Sequence, residues 1–348
     1  MRIAVDAMGG DNGPPAAVGG AFQAATVDGV SILLVGQADR VRAELERRGD
    51  HGGRIEIVHA EEVVGMGEPA SAPLRKKPRS SVRICAELVK QGRAQAMVTA
   101  GNTGAAVIAA KMVIGTISGV DRPALAAVVP NAAARTVILD VGATVDSKPA
   151  QLRQFAVMGH FYAQEVLRTP SPRVGLLSIG EESVKGTDLT REAFKVLQRT
   201  GLSFIGNVEG RDVFNGSVDV VLCDGFVGNA IIKSGESLVE LIGALVREEL
   251  DRSWRTRLAA VLARPAFERL RLRVDWEEYG AAPLLGVDGG CFVAHGRSNA
   301  KAVASAIRRA VEFCAADLHL KIRDKVAELH AQEERLLGQP DREEIVAP

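Results

Sequence analysis

Short apolar runs that close on glycines and small polar residues, each leading into a stretch of helical periodicity, recur along the chain. The first is Ile3–Val5, closed by Asp6 and followed by Gly9, Gly10, Asp11, Asn12 and Gly13 before a proline. In "AQAMVTAGNTGAAVIAAKMV", Ala96–Thr99 predicts a strand, residues 101–104 a turn, and Ala105–Val113 a helix. "RTVILDVGATVDSKPAQLRQFAVMGHFYAQEVL" predicts a strand at Thr136–Asp140 and a helix opened by Ser147, with Pro149 in the first turn, where helices accept proline. "RVGLLSIGEESVKGTDLTREAFKVL" repeats the pattern. So does "VDVVLCDGFVGNAIIKSGESLVELI", with a strand at Val218–Cys223 and a turn over Asp224–Asn229. The last unit, "PLLGVDGGCFVAHGRSNAKAVASAIRRAV", has its helix capped near Ser298. The spacing between units is irregular, which excludes a solenoid.

Apolar strands flanked by helices predict an α/β protein: a doubly wound, mostly parallel sheet with helices on both faces and right-handed crossovers. In such a sheet the strands' carboxyl ends share one edge, so the six turns are expected to meet in a single crevice, where ligands of this fold bind. Glycines let the backbone approach a ligand closely, and helix N-termini beside them offer N–H groups and positive dipole ends. The crevice reads as an anion site, suited to phosphate.

Composition removes other classes. The chain has 348 residues, 47% hydrophobic and 25% charged, ample to bury a core. Its 43 basic residues balance 43 acidic ones, so no overall charge recruits nucleic acid or anionic lipid. Asp6 interrupts the early apolar run, and Gly101–Val120, the nearest approach to a membrane span, contains Lys111; a cytoplasmic chain without a span is expected. Cys85, Cys223, Cys291 and Cys314 form no C-x-x-C pair and read as reduced and structural. The histidines do not cluster with cysteines or acids, so neither metal nor cofactor is expected. "GEESVKGT" is not a P-loop, because Lys185 precedes Gly186, and no turn spells G-x-G-x-x-G.

Six blocks in order, "MRIAVDAMGGDNGP", "TAGNTGA", "LSIGEESVKGTD", "FIGNVEGRDVF", "CDGFVGNAIIKSGE" and "APLLGVDGGCFVAHGRSNAKA", resemble the PlsX phosphate acyltransferases of bacterial phospholipid synthesis, from Met1 to about Ala316. The resemblance implies a phosphotransacetylase-like fold, a homodimer, and the reaction of acyl-[acyl carrier protein] with inorganic phosphate to give acyl phosphate and free carrier. It also implies delivery to the glycerol-3-phosphate acyltransferase at the membrane. The residues suit this chemistry: phosphate is itself the nucleophile, so the protein must hold an anion, polarise a carbonyl and stabilise an oxyanion. The leaving thiol has a pKa of about 8.5, so strong acid assistance is optional.

Lys185, His295, Asn229 and Asp224 are the catalytic candidates in that reading. Lys185, Gly186, Thr187 and the N–H groups of residues 182–187 are candidates to bind phosphate, the alternative being a solvated lysine on a loop. Gly101, Asn102 and Thr103 open a helix and are candidates for phosphate or oxyanion contact, although plain helix caps would look the same. Asp6 and Asp11, beside Gly9 and Gly10, either orient Lys185 or pantetheine amides, or brace their turn through Asx-type bonds. Asp224 and Asn229 flank a strand end, with Asn229 a candidate cap; Asn207 and Glu209 follow another strand. His295 is a candidate to protonate the leaving sulfur or to hydrogen-bond the oxyanion. Cys291, four residues earlier, raises an acyl-cysteine route, but its glycine surroundings favour a small buried side chain.

Arg75, Lys76, Lys77, Arg79 and Arg83 cluster with no acid between them; they either steer an acidic carrier protein or line a solvated loop. From Arg252 to Arg273 there are seven arginines and one acid, with Trp254, Leu258, Val261 and Leu262 on one helical face before Pro265, where a break is expected, and Phe267 beyond it. A helical extension over residues 236–280, which includes Trp276, either rests on an anionic bilayer or packs against a dimer partner. Residues 1–332 are expected to form one domain and 333–348 a charged tail without enough apolar content to pack. Three other readings stay open: a short-chain phosphotransacetylase using coenzyme A, a non-catalytic membrane scaffold for lipid-synthesis enzymes, and a dehydrogenase of related fold.

Overall fold

The computed structural model describes residues 1–274 and 281–337; Trp276 and the segment from 338 onward lie outside the described residues. Its strands are β1 (Arg2–Asp6), β2 (Ser31–Gly36), β3 (Ile55–His59), β4 (Ala96–Thr99), β5 (Ala124–Pro130), β6 (Arg135–Leu139), β7 (Val174–Leu177), β8 (Phe204–Val208), β9 (Val220–Leu222), β10 (Ala281–Leu285) and β11 (Gly290–Ala294). Its helices are α1 (Gly13–Thr26), α2 (Ala38–Glu46), α3 (Ala72–Arg75), α4 (Ser81–Lys90), α5 (Thr103–Ala109), α6 (Pro149–Glu165), α7 (Asp188–Leu197), α8 (Asp212–Asn215), α9 (Gly225–Asp251), α10 (Trp254–Val274), α11 (Ala300–Ala315) and α12 (Leu318–Leu337). One sheet holds the strands in the order β3-β2-β1-β4-β11-β10-β5-β6-β9-β7-β8.

Alternation along each strand builds the layers. Ile3 and Val5 join Val18 and Ile307 under α1 and α11 on one face, whereas Ala4 joins Cys85 and Ala106 under α4 and α5 on the other. In the second half, Val137, Leu139, Val220 and Leu222 pack on Phe155 and Met158 of α6, while Ile138 and Val221 face the opposite side. The sheet is mostly parallel with helices on both faces, as the run-and-turn pattern predicts.

The single shared edge is not found. β3, β2, β1, β4 and β11 run parallel, but β10 is antiparallel to β11 and to β5, and β5 is antiparallel to β6, which is parallel to β9. The two parallel halves therefore run in opposite directions, and their carboxyl ends form two rims. Three reversals produce this: "LLGVDGG" and "VPNAAART" are tight hairpins, each of which pairs its strands antiparallel, and the long-range antiparallel pairing of β10 with β5 supplies the third, so the halves end opposed. Gly286 takes φ +90° in the first, and Asn131 Oδ1 accepts the Ala133 N–H in the second.

Helix starts depart from expectation by a residue or two. Asn102 caps α5, which opens at Thr103 and not Ala105, and Asn299, not Ser298, caps α11. Asp224 caps α9 by accepting the Val227 N–H, so Asn229 sits inside the helix and is no cap. The expected break at Pro265 is absent, since the proline lies within α10. The two helices instead part at Ser253, where Ser253 Oγ accepts the Thr256 N–H at 3.2 Å and Thr256 Oγ1 accepts the Ser253 N–H at 3.1 Å. Such reciprocal bonds start a new helix at this point. Among the described residues no helix is long and apolar enough to cross a membrane.

Candidate active site

The first rim is held together by a carboxylate. Asp6, buried at the end of β1, accepts the Met8 N–H at 3.0 Å and the Thr99 hydroxyl at 2.8 Å, and Thr99 Oγ1 accepts the Gly101 N–H at 3.0 Å. Burial raises the Asp6 carboxyl above its ordinary range, partly offset by bonds from Ser81, Thr99, Met8 and Gly9. The turns after β1 and β4 touch so closely that a Cβ on Gly9 would lie 2.6 Å from the Gly101 nitrogen. The Asp11 N–H donates to Gly296 O at 2.8 Å, and Asn12 donates to Arg297 O and Ser298 O. Asp6, Gly9, Gly10, Asp11, Gly101 and the turn after β11 thus form one assembly. Asn102 accepts the Ala105 N–H and donates to Met66 O and Glu68 O, so its amide serves as cap and loop tie; Thr103 follows it as the first residue of α5.

The second rim has its own carboxylate. Asp140, directly after β6, accepts the N–H groups of Leu125 (2.8 Å), Gly142 (3.3 Å), Ala143 (3.1 Å) and Thr144 (2.6 Å). Burial raises this carboxyl as well, with the four backbone bonds opposing the rise. The Gly225 N–H donates to Thr144 O at 2.9 Å, pinning the start of α9, and a Cβ on Gly228 would meet Asp140 O at 1.9 Å. Asn229 lies over Gly142. On the neighbouring strands, Lys185 Nζ pairs with Glu182 at 2.9 Å, Gly186 holds φ +103°, and Thr187 caps α7 by accepting the Thr190 N–H. Asn207 ties this loop to β8 through Glu182 O at 2.8 Å, and Glu209 sits 3.5 Å from Arg211. Asp224, Asn229, Lys185, Gly186, Thr187, Asn207 and Glu209 therefore share this rim, apart from Asp6 and Asp11. The expectation that Asp6 or Asp11 orients Lys185 finds no contact among the described residues.

Helix α9 joins the two rims. It starts beside Asp140, packs across β6 and β5, and brings Lys233 Nζ to 3.1 Å from His295 Nε2 at the end of β11. Glu236 binds Lys233 at 2.9 Å, and His295 Nδ1 accepts the Arg297 N–H at 3.2 Å. Burial, then the Lys233 charge, hold the His295 imidazole below its ordinary pKa. Lys233, Glu236, Asp140 and Thr99 escaped the sequence reading. Asn229, Lys233 and Glu236 recur at helical spacing after the Asp224 cap, a signal that places them on one face. Asp140 ends "VILD" as Asp6 ends "IAVD".

Cys291 is buried, and burial pushes its thiol up to about 12, far from a thiolate nucleophile. The basic cluster is diluted by acids from elsewhere in the chain: Lys77 is tied to Glu68, Arg79 to Glu61 and Arg83 to Glu87, while Arg75 and Lys76 are exposed.

A mostly parallel sheet of this order, with glycine-lined turns at its strand ends, is the phosphotransacetylase type of α/β fold. A phosphotransacetylase from Streptococcus pyogenes matches with a TM-score of 0.62 at 16% identity, over 90% of this chain and 94% of that one. The EutD phosphotransacetylase of Staphylococcus aureus matches at 0.59 and 15%, with 90% and 94% covered. Residues 1–321 match the family model described as "Fatty acid synthesis protein". A phosphate acyltransferase of Geotalea uraniireducens is 48% identical over 328 residues, 94% of this chain and 95% of that protein. One from Pelotomaculum thermopropionicum is 47% identical over 332 residues, 95% and 97% of the two chains. The chain belongs to this family, the PlsX acyltransferases that its sequence blocks resemble, and is an acyltransferase enzyme.

Proposed function

We propose that the enzyme transfers a long-chain fatty acyl group from acyl-[acyl carrier protein] to inorganic phosphate, giving acyl phosphate for phospholipid synthesis. Phosphate attacks the thioester directly. The observation that carries this reading is the contact by which α9, fixed at the second rim, brings Lys233 to His295 at the first, while burial pushes the Cys291 thiol up to about 12. Lys185, Gly186 and Thr187 hold phosphate; Asn229 and Asp224, beside them, orient it; His295 acts on the carbonyl oxygen. Asp6 and Asp140 are positioning residues that keep the turns in place.

An assay of acyl-[acyl carrier protein] consumption with and without phosphate tests the reaction, and acetyl-coenzyme A as substrate separates it from a short-chain phosphotransacetylase. Consumption is expected only with phosphate and only with the long-chain carrier thioester. Lys185→Ala is expected to raise the KM for phosphate about tenfold, the worth of one partly screened charge contact, with an unchanged melting temperature. Unchanged phosphate dependence would remove Lys185 from the site.

The α9–α10 hairpin supports a docking role. Leu238, Leu241, Ile242 and Leu245 on α9 and Trp254, Leu258, Val261, Leu262 and Phe267 on α10 are all exposed, a concentration of large apolar side chains on two adjacent helices of the kind that marks an interaction surface. In this reading α9 packs against a second copy, forming the homodimer, and the start of α10, with exposed Arg252, Arg255 and Arg257, rests on anionic lipid near the glycerol-3-phosphate acyltransferase. Arg75 and Lys76 guide the acidic carrier. Leu262→Glu is expected to weaken sedimentation with anionic vesicles about tenfold or more, from loss of one buried apolar side chain and added repulsion, while the dimer persists in light scattering. Equal vesicle binding by both forms would assign this surface elsewhere.

A further inference from the structure

The contact between Lys233 and His295 has unusual donor chemistry. His295 Nδ1 accepts the Arg297 N–H at 3.2 Å, and a neutral imidazole whose Nδ1 accepts carries its proton on Nε2. Lys233 is a donor only. Two donors therefore face each other at 3.1 Å. Glu236 takes one proton of the ammonium at 2.9 Å but lies 3.9 Å from Nε2, beyond hydrogen-bond reach. An oxygen seated at the mouth of this pair accepts from both.

We infer that Lys233 Nζ and His295 Nε2–H together form the oxyanion site of the reaction, Lys233 supplying charge and His295 acting as a neutral hydrogen-bond donor. The inference rests on the phosphorolysis proposed above. A lone pair of a phosphate oxygen forms the new C–O bond while the carbonyl π pair moves onto the oxygen held by Lys233 and His295. That pair then returns as the C–S bond breaks, sulfur leaves with the bonding electrons, and the proton of hydrogen phosphate ends on the thiol. Donors aimed at a developing oxyanion typically contribute about 10²–10³ in kcat each.

Among the described residues, the groups facing His295 include Lys233 and Glu236 on α9, Arg297 in its own turn, and Asp11 after β1, with Glu240 paired to Arg297 at 3.3 Å. Lys233 and Arg297 disfavour the imidazolium; Glu236 and Asp11 favour it, and burial adds to the disfavour. The imidazole is thus neutral at a lower pH than usual, and removing Lys233 raises its pKa. Protonation at Nδ1 breaks the bond from the Arg297 N–H that orients the ring, so the acid limb of the kcat profile is expected to move to higher pH in Lys233→Met.

Steady-state kinetics of the full-length enzyme and of Lys233→Met and Lys233→Arg, with nitrogen NMR of His295, test this. Expected are a kcat about 100-fold lower for Lys233→Met, KM for phosphate within about threefold, partial recovery in Lys233→Arg, an Nε2–H tautomer in the wild type, and a higher imidazole pKa in Lys233→Met. A rise in KM for phosphate with kcat retained would make Lys233 a ground-state phosphate ligand and overturn the inference. So would an Nδ1–H tautomer, or a kcat within about threefold of wild type. Wild-type enzyme that consumes no thioester would overturn the reaction itself, and with it this site; intact wild-type turnover with indifferent variants would overturn this site alone.

Discussion

Gly228→Ala is expected to cost about 3 kcal/mol or more and to lower turnover at least about 100-fold. The added Cβ would lie 1.9 Å from Asp140 O, 2.9 Å from its carbonyl carbon and 3.0 Å from Cys223 Sγ. Two of these atoms are backbone, so no rotamer change relieves the clash. The first turn of α9 must withdraw from β6, carrying Asn229 and Lys233 with it. Gly235→Ala, two turns along the same helix, is the control: nothing lies within 4 Å of its Cβ, and a helix-interior alanine there is expected to gain about 0.5–1 kcal/mol. Urea unfolding and kcat on both variants check the pair. A Gly228→Ala enzyme as stable and active as Gly235→Ala would disprove the close packing of α9 on β6.

Asp140→Ala is the second large effect. It removes the acceptor of four N–H groups, two of them on the buried residues Leu125 and Thr144, and a stranded buried donor costs about 1–3 kcal/mol. Because the Gly142 and Ala143 groups lie nearer solvent and water partly satisfies them, the two buried donors dominate and the expected total is about 3 kcal/mol. Asp140→Asn separates acceptor loss from charge loss. Its amide oxygen keeps the bonds to Leu125, Gly142 and Ala143, but its nitrogen then faces the Thr144 N–H across 2.6 Å, donor against donor. An intermediate loss of stability is expected, with a weakened phosphate dependence because the turn that Asn229 covers shifts. Urea midpoints for the two variants equal to wild type would show that the carboxylate does not organise this rim.

Much of the fold was legible in local chemistry. "IAVD", "AMVT" and "VVLC" are short, apolar on both faces and followed by glycine, and they became β1, β4 and β9. The Asn102 cap was readable because an Asn before small helix formers has one efficient use, accepting an orphan N–H. Asn229 was misread as a cap because Asp224 and Asn229 bracket the same turn, and only the backbone path decides which stands one residue before the helix. The boundary at Ser253 escaped notice for a related reason: a proline is a conspicuous breaker, whereas Ser253 with Thr256 is a quiet starter. In α10 the proline forgoes a backbone bond without ending the helix.

By itself the sequence determined the α/β class, the glycine turns at strand ends, the identity of most rim residues and the family. These depend on periodicity, backbone freedom and short-range hydrogen bonds, all of which act within a few residues. Tertiary structure alone decided that the strands form two opposed halves, that Asp6 and Lys185 stand on different rims, and that Lys233 reaches His295 across 62 positions of chain. The direction of each half follows from hairpins together with the distant pairing of β10 on β5, and the contact of Lys233 with His295 follows from where a long helix lands once its first turn is fixed on Asp140. Neither is encoded in any single stretch of residues.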